Sequence, residues 1–368
     1  MTRRRQEKAG HRKKEIAAAA SKILAHESSS RGSAQKSARL DTNPVGVDIG
    51  TSKIVFAQKK HGNVAFTSQL NAFISVEYSK FTESILNQNR INHYRMDESL
   101  IVYGDGAEVF ANMLNTETGR PMRHGLLNPR ESKAIEIIKG ILDDIIAPAA
   151  KRGTQLCFSI PGAHKEAESD IIYHETILRR HLSNKGYNAR SINEGLAVIF
   201  SELEKDNFTG IGISAGGGMC NVCLAFLSVP VITFSIRKGG DYIDDAVASV
   251  TGEVNTRVRA IKERELDLTE EPRNDVEDAL HIYYDDLIVT LVKGLKESLA
   301  QTSKIPDFDK PVPIVLSGGS AKPEGFEHRF EMYLNKEDFP IDISEIRTAS
   351  DPLYATAKGA LIAAMFEG

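Results

Sequence analysis

From position 44 the apolar residues fall into short runs separated by turn residues. The stretch "PVGVDIGTSKIVFA" (44–57) reads as a strand, a tight turn and a second strand, and the pattern predicts strands over 45–48, 54–59 and 64–67. Helical spacing begins near 128. Asn128-Pro129-Arg130-Glu131 has the form of a helix start, with Asn as cap, Pro first and Glu third; Ile135, Ile138, Leu142 and Ile145 then recur at helical spacing up to Pro148. A buried strand "QLCFSIPG", a helix containing "ESDIIYHETILRRHL", a strand near 189–192 and a short helix from Glu194 follow. Residues 210–236 carry no charge and are long enough to cross a bilayer. Gly216, Gly217, Gly218, Asn221 and Pro230 divide them into β-rich runs, which predicts a buried hairpin instead. Next come a helix capped by Asp241 and a long amphipathic helix over 275–301, with Leu280, Tyr284, Leu287, Leu291, Leu295 and Leu299 on one side. The strand of "PIVLSGGS", a helix from about Pro323 and a helix in "DPLYATAKGALIAAMF" close the pattern. Strands and helices are mixed throughout, so the fold class is α/β.

Charge changes this picture at one end. The chain of 368 residues, 41% hydrophobic, has a net charge of −4, but residues 1–41 hold 11 Lys and Arg against 4 Asp and Glu, so that this tail is +7 and the remainder −11. The tail (1–43) is expected to be disordered, apart from one weak helix over 13–26 whose apolar side is mostly alanine with Ile16, Ile23 and Leu24. Its expected partners are an anionic surface, a nucleic acid or an adaptor, held by charge and therefore sensitive to salt. Three cysteines make no disulfide framework, and the N-terminus lacks the apolar core of a secretory signal, so a cytoplasmic protein without a transmembrane segment is expected. "CNVC" (220–223) has metal-like spacing, but on a strand positions i and i+3 face opposite ways, which makes Cys220 and Cys223 structural. The ten His residues show no ligand spacing, and Asp285 and Asp286 read as a solvated face of the long helix.

Two strand-turn-strand units carry glycine at the bend, "VGVDIGTSKIVFA" and "GIGISAGGGMCNVCLAF". Glycine and small hydroxyl residues let backbone N–H groups approach a phosphate closely, and two such turns face to face would clamp a polyphosphate. Gly50, Thr51 and Ser52 would bind phosphate, and Asp48 would hold a divalent cation beside it through its water shell. Lys53 adds a cation near this turn, or is simply a solvated strand end. A third site, "VLSGGSAKPEGF", breaks a buried strand into Gly-Gly-Ser before a helix, which suits close approach of a ligand.

In complete chain order, "DIGTSK", "NEGLAVIFSE", "AGGG", "KGGDYIDDAV", "RVRAIKE", "LSGGSAKPEGF" and "DPLYATAKGALIAA" resemble the actin, heat-shock chaperone and sugar kinase superfamily. The region "VYGDGAEVFANMLNTETGRPMRHGLLNP" and "DPLYATAKGA" are most similar to the bacterial actins, the MreB group and MamK. The resemblance covers 44–365. It implies an actin-like fold: two related, ribonuclease H-like α/β halves around a nucleotide cleft. The first half would be 44–190 plus 345–368, with a small insert at 75–125, and the second 191–344, with an insert at 241–301. It implies ATP or ADP with Mg2+ as cofactors, an ATPase, self-association into filaments that assemble with ATP and disassemble on hydrolysis, and a role in cell shape, an organelle chain or plasmid placement. By position, Asp48 matches the Mg2+-associated Asp, and Gly50 to Ser52 the first phosphate loop, with Lys53 a cation close to it. Gly216, Gly217 and Gly218 match the second loop, Lys262 and Glu263 the residues flanking the nucleoside, and Gly318, Gly319 and Ser320 the adenosine loop. Glu194 falls where the bacterial actins orient the attacking water. Two positions depart from the pattern: Ser214 stands where the family has Asp, and Met219 where it has Thr, which implies slow hydrolysis. A non-polymerising adaptor resembling FtsA and PilM, and a small metabolic kinase of the same superfamily, are the alternatives.

Overall fold

The computed structural model describes residues 43–114, 116–162, 168–302 and 305–366. The tail and its expected helix over 13–26 lie outside the described residues. Along the chain run β1 (Val45–Ile49), β2 (Lys53–Lys60), β3 (Asn63–Leu70), β4 (Phe73–Glu77), α1 (Lys80–Gln88), β5 (His93–Met96), β6 (Ser99–Tyr103) and α2 (Asp105–Leu114). Then come β7 (Met122–Arg123), β8 (Leu126–Leu127), α3 (Ala134–Ile145), β9 (Thr154–Ile160), α4 (Glu168–Asn184), β10 (Tyr187–Asn193) and α5 (Glu194–Glu202). The remainder is β11 (Gly210–Ala215), β12 (Cys220–Phe226), β13 (Val229–Ile236), α6 (Gly240–Thr251), α7 (Asn255–Arg264), α8 (Asp275–Gln301), β14 (Val312–Ser317), α9 (Phe326–Leu334), β15 (Ile343–Thr348) and α10 (Ala355–Phe366).

The chain divides into two compact units. The smaller, residues 69–121 and 128–145, holds α1, α2, α3 and the three-stranded sheet β4-β6-β5, whose Ile74, Val76, Leu100 and Val102 pack on Leu86 of α1 and Phe110 of α2. The larger, residues 42–68, 122–127 and 146–368, holds two five-stranded sheets of one design. Their orders are β10-β9-β1-β2-β3 and β13-β12-β11-β14-β15. In each, a central strand (β1 or β11) pairs antiparallel with the strand that follows it and parallel with a later one (β9 or β14). The uncharged stretch 210–236 forms three strands, not a hairpin. β11 is buried along its whole length and β12 nearly so, because helices cover both faces of this sheet, which is why charge is missing there. Among the described residues no helix is long and apolar enough to cross a membrane.

The layers of the larger unit meet through two helices. α10 packs on β1 and β9, α5 packs on β11 and β12, and the two helices pack on each other. Their contact is backbone to backbone. A Cβ at Gly359 of α10 would overlap the Ala197 carbonyl of α5, and a Cβ at Gly195 would come within 2.8 Å of the Gly212 oxygen on β11. On the far side of the second sheet, Leu280, Tyr284, Leu287, Leu291, Leu295 and Leu299 of α8 fill a core with Ile211, Ile213, Val222 and Phe330.

Three helix starts differ from expectation. α3 begins at Ala134, because the Asn128 side chain accepts from Arg130 N (3.1 Å) in a local turn and Glu131 accepts from Lys133 N (3.0 Å). α6 is capped by Gly239; the Asp241 N–H is drawn to the Gly217 carbonyl (2.8 Å). α9 begins at Phe326, after Gly325 in the left-handed region (φ 84°). Asp285 and Asp286 diverge as expected but are bridged, to Arg329 (3.0 Å) and Lys238 (2.7 Å) respectively.

Two glycine substitutions separate tight contact from open helix. Gly359→Ala is expected to cost about 1–3 kcal/mol through overpacking. Gly140→Ala, where the nearest atom is 3.6 Å away, should gain about 0.5–1 kcal/mol. Thermal unfolding followed by circular dichroism checks both signs.

Candidate active site

Asp48 lies near the end of β1, where the parallel neighbour β9 brings Ser159 alongside. Ser159 Oγ donates to Asp48 Oδ1 (2.7 Å) and accepts from Ile49 N (2.9 Å), so one hydroxyl fixes both strand end and carboxylate. Burial pushes the Asp48 carboxyl up to about 6, against the pull of the Ser159 hydrogen bond. Glu194 opens α5. Asn193 caps that helix by accepting from Leu196 N (3.1 Å), which places Glu194 in the first turn, 8% exposed. Its Oε2 accepts from Ser214 Oγ (3.1 Å) on β11 and from Asn221 Nδ2 (2.9 Å) on β12. Burial, reinforced by the charge of Asp48, pushes the Glu194 carboxyl up to about 8 despite these two donors. Two acidic groups thus share one poorly solvated region and resist ionising together.

The two glycine turns come together as expected. A Cβ on Gly217 would strike Ser52 Oγ, and one on Gly218 would lie 2.9 Å from Thr51 Cβ, so the first turn fits directly against the second. Within the first, Gly50 N donates to Lys53 O (3.0 Å), and Thr51 Oγ1 accepts from Gly125 N (3.0 Å) in the β7–β8 turn. Gly216 N donates to Met219 O (3.0 Å) in the second. Its carbonyls are held from behind: Gly216 O accepts from Gly240 N (3.0 Å) and Ser320 Oγ (2.9 Å), and Gly217 O from Asp241 N (2.8 Å). Carbonyls fixed on one side leave the turn a fixed shape for a ligand on the other.

Ser320 therefore brings the third glycine site against the second loop. Gly318, at φ 93°, is one of the positions where only glycine fits, since a Cβ would overlap the backbone of Ala215; its N–H donates to Pro352 O (2.8 Å). Gly319 and Ser320 form a short 3-10 turn rather than a helix start. Lys262 is 8% exposed, and its Nζ lies 2.7 Å from both Asp244 Oδ1 and Gly240 O; it braces α6 against α7. Glu263 and Lys53 are exposed. Cys220 packs in the core under α8, whereas Cys223 packs with Val198 and Ile199 of α5, on opposite sheet faces. Ser159, Asn221 and Asp244 join the site without having been among the residues expected there. Asn221 sat in plain view inside "CNVC", a fully buried amide on an otherwise apolar strand.

The sequence pattern of the Volactin family matches residues 44–364. The chain belongs to the Volactin family. No curated protein matches it. Among solved structures, this Volactin-family chain is similar to a MamK double helical filament, at 18% identity and TM-score 0.65, over 88% of this chain and 98% of that one. It is also similar to MreB 5 of Spiroplasma citri bound to AMPPNP, at 14% identity and TM-score 0.62, over 88% and 96%. The ethanolamine utilization protein EutJ from Carboxydothermus hydrogenoformans matches at 16% identity and TM-score 0.50, over 86% and 89%. The fold is actin-like, as the order of motifs implied.

Because the Glu194 carboxyl lies at about 8 when folded, far above its ordinary 4.5, its contribution to stability is full below about 4.5 and is lost as pH rises through 8. Glu194→Gln, tested without nucleotide or divalent cation, is therefore expected to raise Tm relative to the parent by roughly 5 °C at pH 8.5 and much less at pH 5. Scanning calorimetry across that range checks the crossover.

Proposed function

We propose that this Volactin-family chain is a filament-forming ATPase of the actin type. The observation that carries the reading is the meeting of two glycine turns, one from each of two like-ordered sheets, beside a buried pair of carboxyl groups. That arrangement suits a polyphosphate bound along the shared edge of the two turns, and AMPPNP in the similar MreB 5 supports ATP as the nucleotide. In this reading the two halves are 44–190 with 345–368, and 191–344, and the adenosine end lies toward Gly318, Gly319 and Ser320.

The residues fit a divalent cation. Asp48 is a carboxylate whose ionisation is penalised by burial and supported by one hydroxyl, so nearby positive charge would relieve it. Mg2+ held through the water shell of Asp48 would supply charge that neutralises phosphate oxygens. The chain's own residues do the rest. Gly50 to Ser52 and Gly216 to Gly218 orient the phosphates, and Glu194, ionised once nearby positive charge offsets its burial, orients the attacking water and takes its proton as the water oxygen bonds to the terminal phosphorus and the bond to the leaving ADP oxygen breaks. Ser214 brings no charge and is engaged with Glu194, so turnover is slow. ATP favours the assembling form and hydrolysis the disassembling one. The MamK double helical filament supports self-assembly as the use of the fold. The basic tail modulates bundling or attachment through charge, with an attraction screened over about 10 Å at 0.1 M salt.

One observation favours a second reading. A serine at 214 in place of a carboxylate suits a non-polymerising adaptor that binds nucleotide and turns it over poorly. Electron microscopy of the purified chain with Mg-ATP separates the two, since filaments are expected only for the first. Asp48→Ala should weaken Mg-ATP binding at least about tenfold by calorimetry, from loss of the charge that supports the cation. Glu194→Ala should bind ATP, form filaments that persist, and release phosphate at least about tenfold more slowly in a coupled sedimentation assay. Equal phosphate release by parent and variant would remove Glu194 from the chemistry.

A further inference from the structure

Asn221 is not among the glycine-turn residues expected to bind phosphate, yet it is fully buried and both ends of its amide are committed. Gly162 N donates to Oδ1 at 2.8 Å, and Nδ2 donates to Glu194 Oε2 at 2.9 Å. A backbone N–H can only donate, so the amide oxygen must face Gly162 and the amide nitrogen must face Glu194. Turning the group round would set two donors against each other on one side and two acceptors on the other. Gly162 is itself anchored, because its carbonyl accepts from Ser235 Oγ (3.2 Å) on β13.

Ser214 Oγ reaches the same oxygen, Oε2, from β11. Two donors from adjacent strands therefore converge on one oxygen of Glu194, and among the described residues no hydrogen bond reaches Oε1. Fixing one oxygen at two points fixes the plane of the carboxyl group and hence the direction in which the other oxygen faces. A glutamate otherwise turns readily about its terminal torsion, which is broad. Neither leucine nor aspartate could replace the amide. Leucine would leave Gly162 N without its acceptor, and aspartate would set a third carboxylate against Glu194.

We propose that Asn221 is a positioning residue for the hydrolytic step: its locked amide, together with Ser214, aims Glu194 Oε1 at the reacting water. The proposal rests on the reading of the site as an ATPase. Its energetic scale follows from geometry, since a displacement of about 1 Å between reacting groups costs on the order of 100-fold in rate. Ser214 still holds Oε2 when Asn221 is lost, so the expected loss is smaller, about tenfold.

The test uses the full chain with Mg-ATP and five proteins: parent, Asn221→Ala, Glu194→Ala, the double variant and Asn221→Asp. Asn221→Ala should lower kcat for phosphate release about tenfold and leave KM and AMPPNP affinity within about twofold of the parent. In the Glu194→Ala background the same change should alter phosphate release by less than about twofold, since no carboxylate remains to be aimed. Asn221→Asp, which keeps the size and the acceptor for Gly162 N but lacks the donor, should be as slow as Asn221→Ala; it also serves if Asn221→Ala does not fold. The proposal is overturned if Asn221→Asp keeps the parent kcat, if Asn221→Ala slows release equally with and without Glu194, or if its effect lies in KM and nucleotide affinity. A parent that binds AMPPNP yet releases no phosphate would overturn the ATPase reading, and this proposal with it. Release by the parent combined with any of the other three outcomes would overturn this proposal alone.

Discussion

Gly359 and Gly195 allow α10 and α5 to sit backbone to backbone and allow α5 to lie directly on β11. The placement of Glu194 hangs on that spacing. With ordinary side chains at these positions, interaxial distances of about 8–10 Å would apply. Ser214 and Asn221 could then not both reach Glu194, whose place is set by the first turn of α5. The same spacing brings Cys157, Ala197 and Ala360 into one core cluster and Val198, Cys223 and Val315 into another, so a largely small-residue core links both sheets. Packing precision here serves a polar purpose: it delivers one carboxylate to two donors.

α5 carries a glutamate at each end, and the two experience opposite physics. Burial and the charge of Asp48 drive Glu194 up, with only neutral donors to oppose them. At the other end, burial also raises Glu202, but hydrogen bonds from Ser350, Arg347 and Ser201 overcome it and hold the carboxyl at about 2. Arg347 lies 3.0 Å from Glu202 and Lys358 3.5 Å, tying the helix to β15 and α10. One end is an ionised anchor. The other has only neutral donors, and burial keeps its proton on.

A similar division runs through the glycine loops. Gly216 and Gly217 keep their carbonyls bonded to α6 and Ser320, while Lys262 and Asp244 brace the start of α6 from below. The Lys262 ammonium, expected beside a nucleoside, lies between a buried carboxylate and a backbone carbonyl. Such an ion pair contributes shape more surely than it contributes stability, because desolvation offsets much of the attraction.

How much of this was legible in the sequence depends on range. The glycine turns, the chain order of the motifs, the stripe of α8 and the start of α5 at Glu194 were all readable, because each is written within a few residues: periodicity, a cap, a bend that excludes Cβ. The small sheet β4-β6-β5 escaped notice because strands of four or five residues show too few periods to stand out. The starts of α3 and α6 shifted because Asn128 found a closer N–H, and because Asp241 gave its own N–H to a loop carbonyl. Only tertiary structure could decide that Ser159 would meet Asp48 across 111 residues, or that Asn221 would meet Glu194 across 27. The sequence by itself determined which turns could approach a phosphate. Which donors and charges surround the two carboxylates was decided by packing, because the cost of burying a polar group is settled by the partner it meets and not by its neighbours in the chain.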